Sequence, residues 1–377
     1  MTNDRISAAA GWLVLIGACF CFSSATLAAE AAYRTDGDTN EKVPWFKLKP
    51  GEFPPAGSAH AIAGELIAVD HVNRTGAIRL DRTDAIRRGE WDHSLSFTLL
   101  PYGSLSYRNA PAELKDIPLG THLHGEFYAG DAVGKGPQSP FNRAIRLEDD
   151  CSYFAARHRA WRIDAIDIDK GTLAVTGTGP GVNQVDAKPT VFQIAPATMV
   201  WKGSGIAASS DLAPGQSVAL NATVCTLKGP GRLTDVWIDA RSRELAAAHQ
   251  LEVHRQFEHE HGLPGWIDDV DNQNGIVTMT IFAGCDRKLF EDFPANGSIS
   301  AAVSEESLRT YDQGNDRMGG GILEVLAVPV GPGNSGVQIK FKPSTLLEGF
   351  RPKKIIRIFS GKWKKIDDLP LEERLYQ

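Results

Sequence analysis

The stretch GELIAVDHVNRTGAIRL, Gly64 to Leu80, establishes the fold because its pattern occurs three times in the chain. Apolar residues alternate with others before Asp70 and again after Gly76, which is typical of a β-hairpin whose turn glycine supplies a positive φ. The other copies are WRIDAIDIDKGTLAV, residues 161–175, and GWIDDVDNQNGIVTM, residues 265–279. With Gly76 aligned to the turn glycine Gly171, the first turn is expected to be two residues longer than the others.

The match between the first two copies continues along the chain without a gap. The same alignment places Phe97 on Phe192 and Pro101 on Pro196, and then Asp116–Gly120 on Asp211–Gly215. A strand that closes the domain is expected after each of these last motifs. For the third copy, closure is expected at Asp292–Val303, with a further closing strand at Lys354–Phe359. Self-similarity of this kind predicts a tandem repeat.

The consensus G-x-I-x-x-V-D, turn glycine, I-x-L, F-x-L-x-P and D-L-x-x-G-x-x-V resembles the OB-like small β-barrel repeats of unknown function in secreted bacterial proteins. The resemblance covers roughly residues 60–128 and 160–240, and more faintly 264–303. It implies a mainly β fold of two to three tandem small OB-like β-barrels joined by short helices, after an N-terminal signal peptide. It concerns the fold and carries no binding or catalytic residue with it.

Acidic starts followed by Ala-, Leu- and Glu-rich segments predict short helices between the repeats. The Gly- and Pro-rich segment 129–147 is expected to be a loop. We divide the chain into a signal peptide (1–29), an extended leader (30–58), β-barrel repeat 1 (59–148), a short helix with β-barrel repeat 2 (149–240), a spacer helix (241–262) and a divergent β-barrel repeat 3 with a basic C-terminal tail (263–377).

The N-terminus predicts export. Arg5 precedes an apolar stretch over 8–22 and a small-residue run over 23–29, which together have the pattern of a cleaved secretory signal peptide. The apolar stretch is shorter than the ~20 residues that span a bilayer, so we expect a secreted or periplasmic protein with no transmembrane span in the mature chain. The alternative is a lipoprotein anchored at Cys19, because residues 15–19 resemble a lipobox.

Composition narrows the class of partner. The 377 residues carry 40 Lys and Arg against 46 Asp and Glu, a formal charge of −6, which disfavours specific nucleic-acid binding. The predicted mature chain keeps three cysteines, an odd number that allows at most one internal disulfide. They are Cys151, Cys225 and Cys285, and buried thiols are the alternative to a disulfide.

Two groups of histidines are candidate metal ligands, for Cu, Zn or Ni. His122 and His124 alternate on one face of the predicted closing strand of repeat 1. His254, Glu258 and His261 are spaced i, i+4 and i+7 on the predicted spacer helix, which would bring two imidazoles and a carboxylate to one face. Structural histidines on a strand or on a solvated helix flank are the alternative in both places.

The basic tail is a candidate anionic-surface site, for a cell-wall polymer or a membrane surface. Its residues are Arg351, Lys353, Lys354, Arg357, Lys362, Lys364 and Lys365. The alternative is an edge strand that lysines protect from aggregation.

The sequence contains no familiar catalytic motif, and no catalytic residue is assigned. We therefore expect an exported, non-catalytic binding or scaffold protein of the cell envelope, whose partner is a polymer or a protein that the sequence does not identify. Two alternatives are a periplasmic or extracellular transition-metal-binding protein that uses these histidines, and a hydrolase with a site between barrels and no linear motif.

Overall fold

The computed structural model describes residues 33–81, 94–130, 141–182, 186–223, 231–309 and 317–363. The predicted signal peptide, including Cys19, and the cysteine Cys225 lie outside the described residues, whereas Cys151 and Cys285 are buried free thiols. The described strands are β1 (His60–Asp70), β2 (Thr75–Leu80), β3 (Ser94–Tyr107), β4 (Ala110–Ala112), β5 (His122–Ala129), β6 (Phe141–Asp149), β7 (Ala160–Asp167), β8 (Thr172–Thr178), β9 (Thr190–Lys202), β10 (Gly205–Ala207), β11 (Ser217–Ala222), β12 (Arg232–Trp237), β13 (Leu263–Asp271), β14 (Ile276–Phe282), β15 (Ser298–Ser304), β16 (Arg317–Ala327), β17 (Asn334–Pro343) and β18 (Ile355–Ser360). The described α-helices are α1 (Asp150–Ala156) and α2 (Ala240–His261).

Three small closed β-barrels form the fold, as predicted from the repeats. Barrels 1 and 2 share one five-stranded topology: β2-β1-β5-β6-β3, closed by β2 on β3, and β8-β7-β11-β12-β9, closed by β8 on β9. Neighbouring strands are antiparallel except for β3 with β6 and β9 with β12, which are parallel. This is an OB-like barrel, and the inward-facing side chains of each barrel form a core of their own.

The three repeated hairpins share one geometry. The first strand of each has a bulge, and the aspartate at its end accepts the backbone N–H of the residue three positions later. The next residue has a positive φ in every copy: Arg74 (53°), Gly171 (60°) and Gly275 (66°). The three turns therefore have equal length, and the prediction of a longer first turn is wrong. Arg74 holds the turn position, and Gly76 lies within β2.

Barrel 3 has six antiparallel strands in the closed order β13-β14-β17-β16-β15-β18. It consists of two similar halves. Each half has a hairpin whose first strand is bulged, β13–β14 in one and β16–β17 in the other, and a further strand pairs with that first strand, β18 with β13 and β15 with β16. A residue with positive φ precedes each closing strand, Asn296 before β15 and Lys353 before β18. The strand that closes on the third repeated hairpin is thus β18, which matches the further closing strand expected at 354–359, and not the strand expected at 292–303.

The leader is packed between barrels 1 and 3. The Phe53 ring lies 4.2 Å from the Trp266 ring of barrel 3 and 5.5 Å from the Tyr102 ring of barrel 1. Phe46 contacts Tyr128, and these aromatic residues belong to one apolar cluster that spans both barrels. Residues that follow the predicted signal are therefore part of the folded core.

Helix α2 joins barrels 1 and 3 through polar contacts. It begins after Asp239, whose carboxylate accepts the Ser242 N–H, and ends at Gly262 with φ 78°. Its buried residues are polar: Ser242, Gln250, His254 and Glu258. Gln250 donates to Asp116 of barrel 1, while the next two turns of the helix contact barrel 3. Hydrogen bonds, and not an apolar stripe, therefore hold this helix in place.

Two local predictions are corrected. The expected loop at 129–147 contains β6, the fifth strand of barrel 1, which pairs with both β3 and β5. The basic tail is not an edge strand, because β18 pairs with β13 on one side and β15 on the other. Among the described residues, neither helix has the length and apolarity needed to cross a bilayer.

Candidate metal centre

Strand β5 directs two histidines away from the core of barrel 1. Leu123 lies between them and is fully buried in that core. Because side chains alternate across a strand, His122 and His124 share the opposite, outer face. Strand β6 runs alongside β5 and pairs Asp149 with Leu123. The next residue, Asp150, begins α1 beside the two imidazoles.

The three side chains converge on one oxygen. Asp150 Oδ1 lies 2.7 Å from His122 Nδ1 and 2.9 Å from His124 Nε2. The ligand atoms of these residues all lie within 4.8 Å of one another, and no other group of three or more His, Cys, Asp or Glu side chains in the described ranges meets this condition. Asp150 is buried and the histidines are partly buried, so the site is only partly exposed to solvent.

A second carboxylate orients His122 through the ring nitrogen that does not face Asp150. Asp81 follows β2, and its Oδ2 lies 2.9 Å from His122 Nε2. Metal-binding histidines commonly donate the N–H of the other ring nitrogen to a carboxylate, which fixes the ring and leaves the ligating nitrogen facing the metal. Asp81 is the carboxylate that binds the Nε2 of His122, and the Nδ1 of His122 faces Asp150 Oδ1, where the three side chains converge.

The side chains of the site form charged hydrogen bonds with one another. Burial alone would lower the pKa of His122, but the carboxylates of Asp150 and Asp81 outweigh it and raise that pKa well above its ordinary value. Burial would likewise raise the pKa of Asp150, and the two histidines instead lower it. Between these two carboxylates His122 is therefore favoured as an imidazolium.

Ring stacking holds His124. Its imidazole stacks on Tyr153 of α1 at 3.7 Å between centroids and 13° between planes. The Arg157 guanidinium lies 3.7 Å from the centroid of the same tyrosine ring and also pairs with Glu148 at 3.0 Å. This layered arrangement limits the rotation of His124 about its side-chain bonds.

Barrel 2 has the same scaffold without these residues. Gly120 and Gly215 are equivalent, since each has a positive φ and donates its N–H to the middle of the first hairpin strand. Counting from these glycines places Ser217 and Ala219 at the positions of the histidines. Asp149 and Asp239 both cap a helix that follows the fifth strand, which places Ala240 at the position of Asp150. The repeat itself therefore does not require the three polar residues of barrel 1.

The other predicted histidine group is arranged differently. His254 Nε2 donates to Gly284 O at 3.0 Å, and Glu258 Oε2 accepts the Asp286 N–H at 3.0 Å, so both side chains bond barrel 3. His261 Nδ1 instead donates to Phe257 O within its own helix. His254 and Glu258 are brought together, with 3.5 Å between Nε2 and Oε1, and His261 is not part of their contact.

A small cavity lies beside this helix, between barrels 1 and 3. It has a volume of about 30 Å³, and its lining includes Arg74, Glu113, His254, Glu258, Cys285 and Arg357. This space suits about one or two water molecules.

The described residues of the predicted anionic surface have different environments. Arg357 is buried and donates to Leu308 O and Gly262 O. Arg351 pairs with Glu348, and Lys362 lies 3.8 Å from Asp292. Lys353 and Lys354 are exposed, while Lys364 and Lys365 lie outside the described residues.

Sequence reasoning finds the two histidines of the centre and misses both carboxylates. Asp150 lies at an acidic start that predicts a helix, and Asp81 directly follows the first repeated hairpin. The available signal was the strand order of an OB-like barrel, which brings the fifth strand beside the closing strand. Comparisons with protein-family models, curated proteins and solved structures give no significant match.

Proposed function

We propose that this chain is an exported binding protein whose ligand is a divalent transition metal, held by His122, His124 and Asp150 of barrel 1. The observation that carries the proposal is the convergence of His122 Nδ1, His124 Nε2 and Asp150 Oδ1. Two imidazoles and one carboxylate are a usual ligand set for zinc, and nickel or copper(II) accept the same donors. Export rests on the N-terminal sequence pattern alone.

Binding would replace protons by the metal. The hydrogen bonds of 2.7 and 2.9 Å would open as the histidines lose their bridging protons, because ligand atoms around a tetrahedral zinc are roughly 3.4 Å apart. His122 would keep the proton on its Nε2 and donate it in a hydrogen bond to the Asp81 carboxylate. Three protein ligands leave a fourth position for water or an external donor.

Metal analysis of untagged protein tests the proposal. We expect one Zn²⁺ per chain after dialysis against Zn²⁺, and roughly 100-fold weaker binding by Asp150→Asn and His124→Ala, since each removes one of three ligands. His249→Ala is the matched control, because His249 is an exposed histidine of α2, and it should bind Zn²⁺ like the natural chain.

Two results would count against the proposal. One is a folded natural chain that holds no Zn²⁺, Ni²⁺ or Cu²⁺. The other is Zn²⁺ binding that survives both ligand substitutions and is lost in His254→Ala, which would move the site to helix α2.

A further inference from the structure

The carboxylate of Asp150 is shared between two barrels. Its Oδ1 faces His122 and His124 of barrel 1. Its Oδ2 accepts the backbone N–H of Ala222, in β11 of barrel 2, at 2.9 Å. The residue that supplies the oxygen ligand of the proposed centre is thus bonded on its other side to the neighbouring domain.

The contact lies beside a bulge in β12. The pairing of β11 with β12 shifts register between Asn221 and Ala222, because β12 has one extra residue there, Thr234. The Asn221 side chain is fully buried. It donates through Nδ2 to Asp149 Oδ2 at 2.7 Å and accepts the Cys151 N–H at 2.9 Å. Barrel 2 therefore holds the helix start that carries Asp150 at three points.

We propose that barrel 2 positions the metal ligand Asp150, so that metal binding at barrel 1 and docking of barrel 2 are thermodynamically linked. This inference rests on the proposed function. With barrel 2 docked, Asp150 has one oxygen fixed by a backbone N–H and the other aimed at the imidazoles. Without it, the carboxylate would have to be ordered when the metal binds, and that cost lowers affinity.

Linkage acts in both directions by the same factor. Docking of barrel 2 raises the affinity of the centre, and a bound metal stabilises the junction around Asn221. Substitutions in barrel 2 at residues that do not bind the metal therefore change the metal affinity. In return, the metal makes the contacts of Asn221 and Ala222 with the start of α1 open less often. Both effects can be measured on the full chain.

Hydrogen exchange of the natural chain is the first test, with Zn²⁺ as the probe. Saturating Zn²⁺ should slow exchange of the Ala222 and Cys151 amides at least tenfold, with a smaller effect on Ile339 in the core of barrel 3. Zn²⁺ that binds at barrel 1 but leaves the exchange of both amides unchanged would overturn the linkage and leave the proposed function in place.

Affinity for Zn²⁺ is the second test, by competition with a chelator. Asn221→Ala should bind Zn²⁺ about tenfold more weakly, although Asn221 contacts no ligand atom of the metal. The matched control is Thr176→Val, because the Thr176 hydroxyl donates to Asp164 within the hairpin β7–β8 of barrel 2, whereas the junction contacts are made by β11. Its affinity should stay within about twofold of the natural chain.

The outcomes separate the two proposals. A natural chain without Zn²⁺ affinity removes the proposed function and the linkage with it. Equal affinities for the natural chain and a folded Asn221→Ala remove the linkage alone. If Asn221→Ala fails to fold, the exchange measurement on the natural chain decides.

Discussion

Arg74 has a left-handed backbone at a turn where the equivalent residues are Gly171 and Gly275. Such a conformation costs a residue with a Cβ roughly 1–2 kcal/mol. The cost is offset by the side chain, which is buried and pairs with Glu113 at 3.1 Å. It also donates to the carbonyl of Gly103. Arg74 thereby fixes the hairpin β1–β2 to strand β3, which contains Gly103, and to the segment after β4, which contains Glu113.

Replacing Arg74 separates these two effects. Arg74→Ala and Arg74→Gly both remove the ion pair, and we expect destabilisation of about 2–4 kcal/mol, as for breaking a largely buried pair. The glycine variant should be the more stable by about 1 kcal/mol, because it alone removes the backbone strain. Urea denaturation measures both. An alanine variant as stable as the glycine variant would show that the left-handed turn is not strained.

The same residue shows where sequence reasoning stops. Alternation and turn glycines predict three hairpins, and the structure has them. The alignment nevertheless chose Gly76, because glycine is the usual residue for a positive φ and nothing local reveals that Arg74 is held by a residue 39 positions away. A long-range ion pair overrode the local preference, and this kind of contact is not visible in a pattern of neighbours.

At the scale of elements, what could be predicted follows strand periodicity. The period of two placed His122 and His124 on one face of β5, where they lie. The carboxylates of the centre depend instead on which strands are neighbours and in what register, since Asp150 follows β6 and Asp81 follows β2. These pairings join segments far apart in the chain, so the local pattern predicts the two histidines of the candidate site and not its two carboxylates.

The leader is an element whose role can be tested separately. Phe53→Ala should destabilise the protein by about 2 kcal/mol, less than a fully buried phenylalanine, because Phe53 is only half-buried. We expect faster proteolysis within 33–58 and a red shift of Trp266 fluorescence, with the barrels still folded. Glu52→Ala is the control, since its pair with Lys49 is exposed. Equal protease sensitivity of the two variants would contradict the packing role.

At the scale of the whole molecule, tyrosines lie at the junctions between domains. Tyr102 and Tyr128 belong to the apolar cluster between barrels 1 and 3, and Tyr107 lies near Arg108 and Asp235 at the junction with barrel 2. Burial raises the pKa of Tyr107 and of Tyr128 to about 12. It also raises the pKa of Tyr102. Burial at these junctions therefore favours the neutral form of the three tyrosines.

Alkaline pH should weaken the whole assembly. An unfolded tyrosine ionises near pH 10, whereas Tyr107 and Tyr128 keep their protons in the folded chain until about pH 12. Between these values the unfolded state binds fewer protons, so the contribution of the tyrosines to the free energy of unfolding is constant below about pH 9 and falls as the pH rises from 10 to 12. Each tyrosine contributes a slope of up to about 1.4 kcal/mol per pH unit.

Tyr128→Phe tests this pH dependence directly. Loss of the hydrogen bond with Ser58 should cost about 1 kcal/mol at pH 7. The decline between pH 10 and 12 should nevertheless be shallower than in the natural chain, because one titrating group is gone. Urea denaturation at a series of pH values gives both slopes, and the absorbance of tyrosinate reports ionisation independently. Parallel declines for the two proteins would mean that Tyr128 ionises in the folded chain as readily as in the unfolded one, and that the junction between barrels 1 and 3 is open to solvent.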